Sequence, residues 1–399
     1  MPAPLPTTPA PAAAADLPPG RRRLALRLAL IAGVLAALVL AVSALPGLDE
    51  VRDRLAGASP GWLGVALALQ AASCLAFVAA FRGVFCRRLP WRLSYEVGMA
   101  AQGTNVLLPS GGAGGLALAA WALRRTGMPA ERLARRTVAF YVLTSSVNFI
   151  TAAIAGSLLA LGVLAGGGSL LWTAGPALAA TLVIASVLAL PRLLHRLGAR
   201  ERERTGRAGR IVVAVESALS SGIADARLLV RTGSPQILLG AIGFMALDVA
   251  ALGAAFTAIG GLPPVGILLL AYVIGQLGGL LPLPGGVGGA DGGLIAAFAL
   301  YGTPLGTAAA AVLAYRAFQL GLPALLGALA IVRLPAVLQR APDVGGLCKP
   351  APTARRAVRP RPAGRDHREL RDRRVIRRDL RAHRWRGHHA HRAAPTGSL

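Results

Sequence analysis

Arg316 is a charged side chain in an otherwise apolar stretch of the sequence. It follows Tyr315 inside the apolar run 304–332, which is otherwise uncharged. If this run crosses a bilayer, a cation near its centre costs at least ~2.5–3.5 kcal/mol and should face a cavity or a partner. The planar donor fork of Arg suits a phosphate, so one interpretation is a ligand for an anionic head group. The alternatives are a structural ion pair with Asp291 or Asp248, or a side chain that extends to the interface.

The two acidic residues Asp291 and Asp248 also lie in apolar surroundings. Asp291 follows a glycine cluster, where it could pair with Arg316, bind a coupling proton or cation, or cap the N-terminus of a half-helix. Asp248 lies in the middle of the apolar run 236–260. Other polar side chains fall in or beside two Gly/Pro-rich segments. They either line a site or satisfy unpaired backbone groups, and they are Gln102, Thr104, Asn105 and Gln276.

These two Gly/Pro-rich segments cannot be continuous helices. Residues 107–115 read LLPSGGAGG and residues 281–289 read LPLPGGVGG. Proline removes a hydrogen-bond donor, and each glycine costs ~1 kcal/mol inside a helix. Irregular backbone at membrane depth survives only inside protein or around a wet cavity. We therefore expect the hinges of two re-entrant hairpins, formed by Pro109, Gly111, Gly112, Gly114, Gly115, Pro282, Pro284, Gly285, Gly286, Gly288 and Gly289.

The two segments also resemble each other. Aligned without gaps, 102–115 and 276–289 share a glutamine, a leucine and four glycines. Similar broken segments that open to opposite sides are typical of inverted-repeat transporters, in which they mark the central site. The alternative interpretation is a pair of glycine-rich patches at which helices pack closely.

Composition places these segments in a membrane protein. The chain is 54% hydrophobic and only 15% charged, against roughly 25% charged residues in a soluble domain. The net charge of +26 does not indicate a nucleic-acid partner, because the arginines collect at the ends of apolar runs. Cys74, Cys86 and Cys348 form no CxxC motif. We expect small apolar cysteines without a disulfide, and neither a metal site nor a cofactor.

The arginines also predict the topology. The basic links 82–93 and 124–136 would face opposite sides if every apolar run crossed the membrane once. They share the cytoplasmic side if 94–123 enters and leaves from there, and 264–301 then enters and leaves from outside. The prediction is an all-α polytopic membrane protein with about six full transmembrane helices and two re-entrant hairpins in an inverted repeat. Both termini are cytoplasmic, and the regions are a disordered Ala/Pro-rich start (1–23), a transmembrane domain (24–333) and a basic, disordered tail (334–399).

Three motifs resemble the lysylphosphatidylglycerol synthase transmembrane family, also described as a flippase-domain family. They are NVLLP at 105–109 with LRRTG at 123–127, LPLPGGVG at 281–288 with Asp291, and Tyr315-Arg316 followed by Leu322-Pro323. The resemblance implies a bacterial-type inner-membrane protein that handles anionic or aminoacylated phospholipids. In that family a separate soluble domain carries aminoacyl transfer, so the resemblance does not imply an enzyme here. Gly115 stands where many relatives carry an acid.

The favoured hypothesis is therefore a lipid translocase. Arg316 would hold a phosphate, and the two broken segments would form a gate. Asp291 would balance the charge of Arg316 or bind a coupling proton or cation. Substrate contacts are expected from Arg316, Asp291, Tyr315, Gln102, Asn105, Gln276 and Asp248. A second hypothesis is an accessory scaffold for a membrane or cytoplasmic enzyme that modifies lipids or glycans. A third is a membrane-embedded transferase that uses Asp291 as a base.

Overall fold

A computed structural model describes residues 49–107, 113–166, 169–201, 207–232, 235–278 and 288–348. In these ranges every regular element is a helix. The helices are α1 (Asp49–Ala56), α2 (Pro60–Phe85), α3 (Trp91–Leu107), α4 (Ala113–Arg125), α5 (Ala130–Ala160), α6 (Leu170–Glu201), α7 (Arg207–Arg231), α8 (Pro235–Ile259), α9 (Val265–Gly278), α10 (Gly289–Leu300), α11 (Leu305–Gln339) and α12 (Val344–Leu347).

Five of the described helices are long and apolar enough to cross a membrane. They are α2, α5, α8, α11 and the part of α6 from Leu170 to Leu190. The prediction of an all-α polytopic membrane protein is confirmed, and these five helices coincide with five of the six predicted crossings. The remaining predicted crossing, near 24–45, lies outside the described residues, as do the start of the chain and residues 349–399.

The chain contains two copies of one helical pattern. Helices α8 to α11 each begin 174 to 176 residues after their counterparts α2 to α5. The paired first helices of the two copies run antiparallel, because Gly83 packs against Ile237 while Ser73 Oγ, earlier in α2, donates to Phe244 O, later in α8, at 2.8 Å. Equal helix order with opposite direction is the geometry of an inverted repeat.

Each copy contains a pair of short helices joined by a broken segment. Helices α3, α4, α9 and α10 are 17, 13, 14 and 12 residues long, below the ~20 residues that a crossing requires. Both ends of the α3–α4 pair meet the same stretch of chain, since Cys86 is bonded to Cys348 and Val344 N donates to Thr126 O. Both ends of the α3–α4 pair therefore lie on the same face of the described fold.

The connections between helices fall into two groups. One group surrounds residues 340–348 and includes the links 86–90 and 126–129; we call this the basic face, because Arg88 and Arg132 donate to the carbonyls of Leu347 and Cys348. The other group gathers at the opposite end of the helices, where Ser59 N donates to Ala258 O at 2.9 Å. The placement of arginines in the sequence divides the same links into the same two groups.

The expectation that the cysteines form no disulfide is wrong for two of the three residues. Cys86 and Cys348 form a disulfide with their Cα atoms 5.9 Å apart, whereas Cys74 is free and buried. The two partners are 262 residues apart in sequence, so no local motif marks them. Helix α11 continues to Gln339, and α12 packs beneath the α4–α5 link, where Val344 N donates to Thr126 O. The described structure therefore includes residues 334–348 of the region predicted as a tail.

Candidate functional site

Asp248 in α8 is the centre of a buried hydrogen-bond network. Its side chain is only 3% exposed. One carboxylate oxygen, Oδ2, accepts from the Tyr272 hydroxyl at 2.6 Å, the Tyr315 hydroxyl at 2.8 Å and Gln319 Nε2 at 3.1 Å. Gln70 on α2 also faces this carboxylate. Three donors on one oxygen are the kind of environment that holds a carboxylate inside an apolar protein.

Gln319 connects this carboxylate to a buried ion pair. Its amide nitrogen donates to Asp248, and its Oε1 accepts from Arg316 Nη1. Arg316 Nε donates to Asp291 Oδ1, and the two side chains are 9% and 17% exposed. We define the Asp248–Arg316 network as Asp248, Tyr272, Asp291, Tyr315, Arg316 and Gln319.

Four helices of the second repeat position the network, and each does so for a local reason. Gln319 lies three residues after Arg316 and four after Tyr315 on α11, and both spacings place side chains together on a helix. Asp291 lies in the first turn of α10 and accepts a hydrogen bond from Gly288 N at 2.9 Å. Gly288 has a φ of +88°, a left-handed conformation that glycine adopts without strain. Asp291 therefore caps the helix and pairs with Arg316 at the same time.

The described ends of both broken segments lie near the network. Asp291 directly follows the second segment along the chain. For the first segment, a Cβ on Gly103 would stand 2.7 Å from Gly327 Cα and 3.1 Å from Pro323 O, so α3 packs closely against α11. Helix α3 begins at the basic face and α11 ends there, so the two helices run antiparallel. Because a helix rises 1.5 Å per residue, the end of α3 at Leu107, four residues after Gly103, reaches the level of Pro323, about one turn from Gln319.

The structure brings together most of the seven residues predicted to contact a substrate. Asp248, Asp291, Tyr315 and Arg316 belong to one network, and Gln276 faces the Tyr272 hydroxyl. Of the two predicted ion pairs, Arg316 forms the one with Asp291, whereas it reaches Asp248 through Gln319.

Two predicted residues are placed elsewhere. Asn105 Oδ1 accepts from Gly115 N at 2.7 Å, so it bridges the first broken segment and satisfies a backbone group. Gln102 Nε2 is buried and has no hydrogen-bond partner within the described ranges. Gly114 and Gly115 lie in the first turn of α4, Gly288 precedes α10 and Gly289 begins it. The other predicted hinge residues lie outside the described residues: Pro109, Gly111, Gly112, Pro282, Pro284, Gly285 and Gly286.

The sequence analysis did not predict three residues that form or contact the network. For two of them the spacing along a helix could have indicated the contact. Gln319 is three residues after Arg316, and Tyr272 is four residues before Gln276, which are the spacings that place side chains together on a helix. Gln70 carried no such signal, because its contact with Asp248 depends on how α2 packs against α8. In the part of the chain that the structure describes, no group of three or more His, Cys, Asp or Glu side chains is placed to hold a metal ion.

Fold and site together define a polytopic α-helical membrane protein, built as an inverted repeat around a buried polar network. A family model for the lysylphosphatidylglycerol synthase TM region matches residues 24–327. The chain belongs to this family, which confirms the resemblance seen in its motifs and makes it a lipid-related membrane protein. A comparison with curated proteins gave no match.

Proposed function

We propose that this chain is a lipid translocase that moves anionic or aminoacylated phospholipids across a bacterial-type inner membrane. The observation that carries the proposal is the Asp248–Arg316 network, in which charged side chains are buried among apolar helices. Ionisable groups at membrane depth are costly, and they mark substrate or ion pathways by default. The proposal assigns transport to this chain and no aminoacyl transfer.

Arg316 is the proposed phosphate ligand, and Asp291 is its partner when no lipid is bound. A phosphate and a carboxylate offer similar pairs of acceptor oxygens to the guanidinium fork. A lipid phosphate can therefore replace Asp291 without leaving Arg316 uncompensated in the apolar interior. The released Asp291 carboxylate then becomes available to a proton or to the ammonium group of an aminoacylated head group.

The two short-helix pairs are the proposed gate. We propose that α3–α4 and α9–α10 are re-entrant hairpins that enter from opposite sides, with the basic face and both termini in the cytoplasm. Three observations support this arrangement: the short helices, the shared face at both ends of the α3–α4 pair, and the arginines on the basic face. Antiparallel repeats give a translocase two equivalent half-structures that can open in turn.

The direct test is a flip assay with the full chain in vesicles that contain a fluorescent phosphatidylglycerol. Arg316→Ala and Asp291→Asn should each reduce the initial flip rate at least about tenfold, because each removes one partner of a buried ion pair. Arg340→Ala is the matched control, since Arg340 is exposed on the basic face. Wild-type rates in both network variants would refute the assignment of the site.

One observation favours the second candidate, an accessory scaffold. Arg316 already has Asp291 and Gln319 as partners, which is also what a purely structural ion pair requires. A scaffold would flip no lipid in the wild-type form, and Arg316→Ala would change only its stability. The flip assay with wild-type protein therefore separates the two functions before any variant is measured.

The proposed topology has its own test. Single cysteines introduced at Pro90 and Ala130, in a variant without native cysteines, should react with an impermeant maleimide from the same side of the membrane. Both positions flank the α3–α4 pair on the basic face. Labelling from opposite sides would mean that the pair crosses the bilayer once.

A further inference from the structure

A lateral groove between α5, α6 and α7 is separate from the Asp248–Arg316 network. Its volume is about 590 Å³, within the range of roughly 300–1,000 Å³ that is usual for ligand sites. Its walls are mostly apolar and come from Tyr141, Phe149 and Ile150 on α5 and from Val183, Ile184 and Val187 on α6. Several wall side chains remain between 37% and 51% exposed, and these are Val183, Tyr141, Val230, Ile150 and Leu188.

One end of this groove is positively charged. Arg227 and Arg231 on α7 are its only charged lining residues in the described part of the chain. Arg227 Nη2 donates to Leu188 O at 2.7 Å, which fixes its guanidinium at the mouth of the groove. The neighbouring acid on α7, Asp225, is already engaged by Arg136 at 3.5 Å. Within the described residues, the two arginines therefore present a positive charge to a ligand.

The charged end lies towards the basic face. Helix α7 ends at Arg231, and α8 begins four residues later at Pro235. The next residue, Gln236, accepts from Arg82 Nη1 at 3.3 Å, close to the α2–α3 link of the basic face. The apolar walls extend from this end along two helices that are long enough to cross a membrane. The groove thus combines a cationic end near a membrane surface with an apolar body at membrane depth.

We infer that this groove binds one anionic phospholipid, with its phosphate at Arg227 and Arg231 and an acyl chain along α5 and α6. A zwitterionic lipid fills the apolar walls equally well, but its ammonium group opposes the two arginines. The arginine fork adds a geometric preference for the phosphate oxygens. This lipid site does not depend on transport through the Asp248–Arg316 network.

An alternative occupant is the apolar segment 24–45 of the same chain. The sequence argues against it, because Arg21-Arg22-Arg23 precede this segment. With the N-terminus on the predicted cytoplasmic side, those arginines would lie at the level of Arg227 and Arg231. Like charges in contact are unfavourable, whereas a lipid phosphate neutralises the site.

The experiment measures the lipids that stay bound to the full chain. Wild-type protein is reconstituted in equimolar phosphatidylglycerol and phosphatidylcholine with identical acyl chains, and retained lipids are identified by native mass spectrometry. We expect enrichment of phosphatidylglycerol in the wild type. Arg227→Gln with Arg231→Gln should lower the enrichment about 30-fold, roughly fivefold for each arginine near a membrane surface.

Two further variants keep the result interpretable. Arg87→Gln with Arg340→Gln removes the same charge from exposed positions of the basic face outside the groove, and it should leave the enrichment unchanged. Val183→Trp fills the apolar wall and should reduce the retention of both lipids. Equal enrichment in wild type and in the Arg227/Arg231 variant would overturn the inference. A Val183→Trp variant that unfolds more easily but retains its lipids would also overturn it, because segment 24–45 would then fill the groove.

Discussion

Replacing Asp248 with alanine should destabilise the protein more than any other single change in the Asp248–Arg316 network. The substitution removes the shared acceptor of Tyr272, Tyr315 and Gln319, which lie 2.6, 2.8 and 3.1 Å from Oδ2. Each buried donor without a partner costs ~1–3 kcal/mol. Hydroxyl rotation and entering water recover part of this cost, so we expect a loss of about 3–5 kcal/mol in the free energy of unfolding.

A graded series separates this explanation from a general effect of mutation. Asp248→Asn keeps one carbonyl oxygen, which can accept two of the three hydrogen bonds, and should cost ~1–3 kcal/mol. Tyr272→Phe removes one donor and leaves the carboxylate two partners, which should cost roughly 1.5–3 kcal/mol for a hydrogen bond to a charged group.

The assay is denaturant-induced unfolding in mixed micelles, with Tyr301→Phe as the matched control. Tyr301 also loses one hydroxyl hydrogen bond, to Trp172 O at 2.7 Å, but it lies outside the network. Its cost should be ~0.5–1.5 kcal/mol. In the double variant of Asp248→Ala and Tyr272→Phe the two costs should not add, because the same hydrogen bond is lost twice. An Asp248→Ala cost no larger than that of Tyr301→Phe would refute this account of the network.

Two other contacts give sharp expectations. Gly327→Ala should cost about 1–3 kcal/mol in unfolding free energy, because its Cβ would collide with the backbone of Gly103. Gly321→Ala, which meets open space, should instead stabilise α11 by up to ~1 kcal/mol; equal effects would contradict the close packing. Cys86 and Cys348 should be thiols in growing cells and join when isolated membranes are oxidised, because the basic face is predicted to be cytoplasmic. A gel shift with a maleimide polymer measures this, and a complete disulfide in intact cells would place the basic face outside.

Arginine placement predicted the grouping of the helix connections because charge at a membrane surface is a local property of each link. The same holds for the broken segments, whose prolines and glycines exclude a continuous helix wherever they occur. The 174-residue register between the segments extends to all four helices of each repeat. Most of the architecture therefore follows from features that can be read one segment at a time.

The partners within the site were harder to predict, because packing decides them. The sequence offered Asp291 and Asp248 equally as partners of Arg316. The structure selects Asp291 as the direct partner, since α10 begins beside α11 and presents its first turn to Arg316. Gln319 then mediates the contact with Asp248. The Cys86–Cys348 disulfide was missed for the same reason, since it joins residues from opposite ends of the described fold.

The two repeats share a framework but do not share the charged network. In the 174-residue register, Cys74 occupies the position of Asp248, and Val142 occupies the position of Arg316. Cys74 is buried and lies near Asp248, so the equivalent positions face each other across the axis that relates the repeats. A second buried network would add several kcal/mol of desolvation for each ion. In the proposed translocase, one charged network would therefore serve both halves of an otherwise symmetric framework.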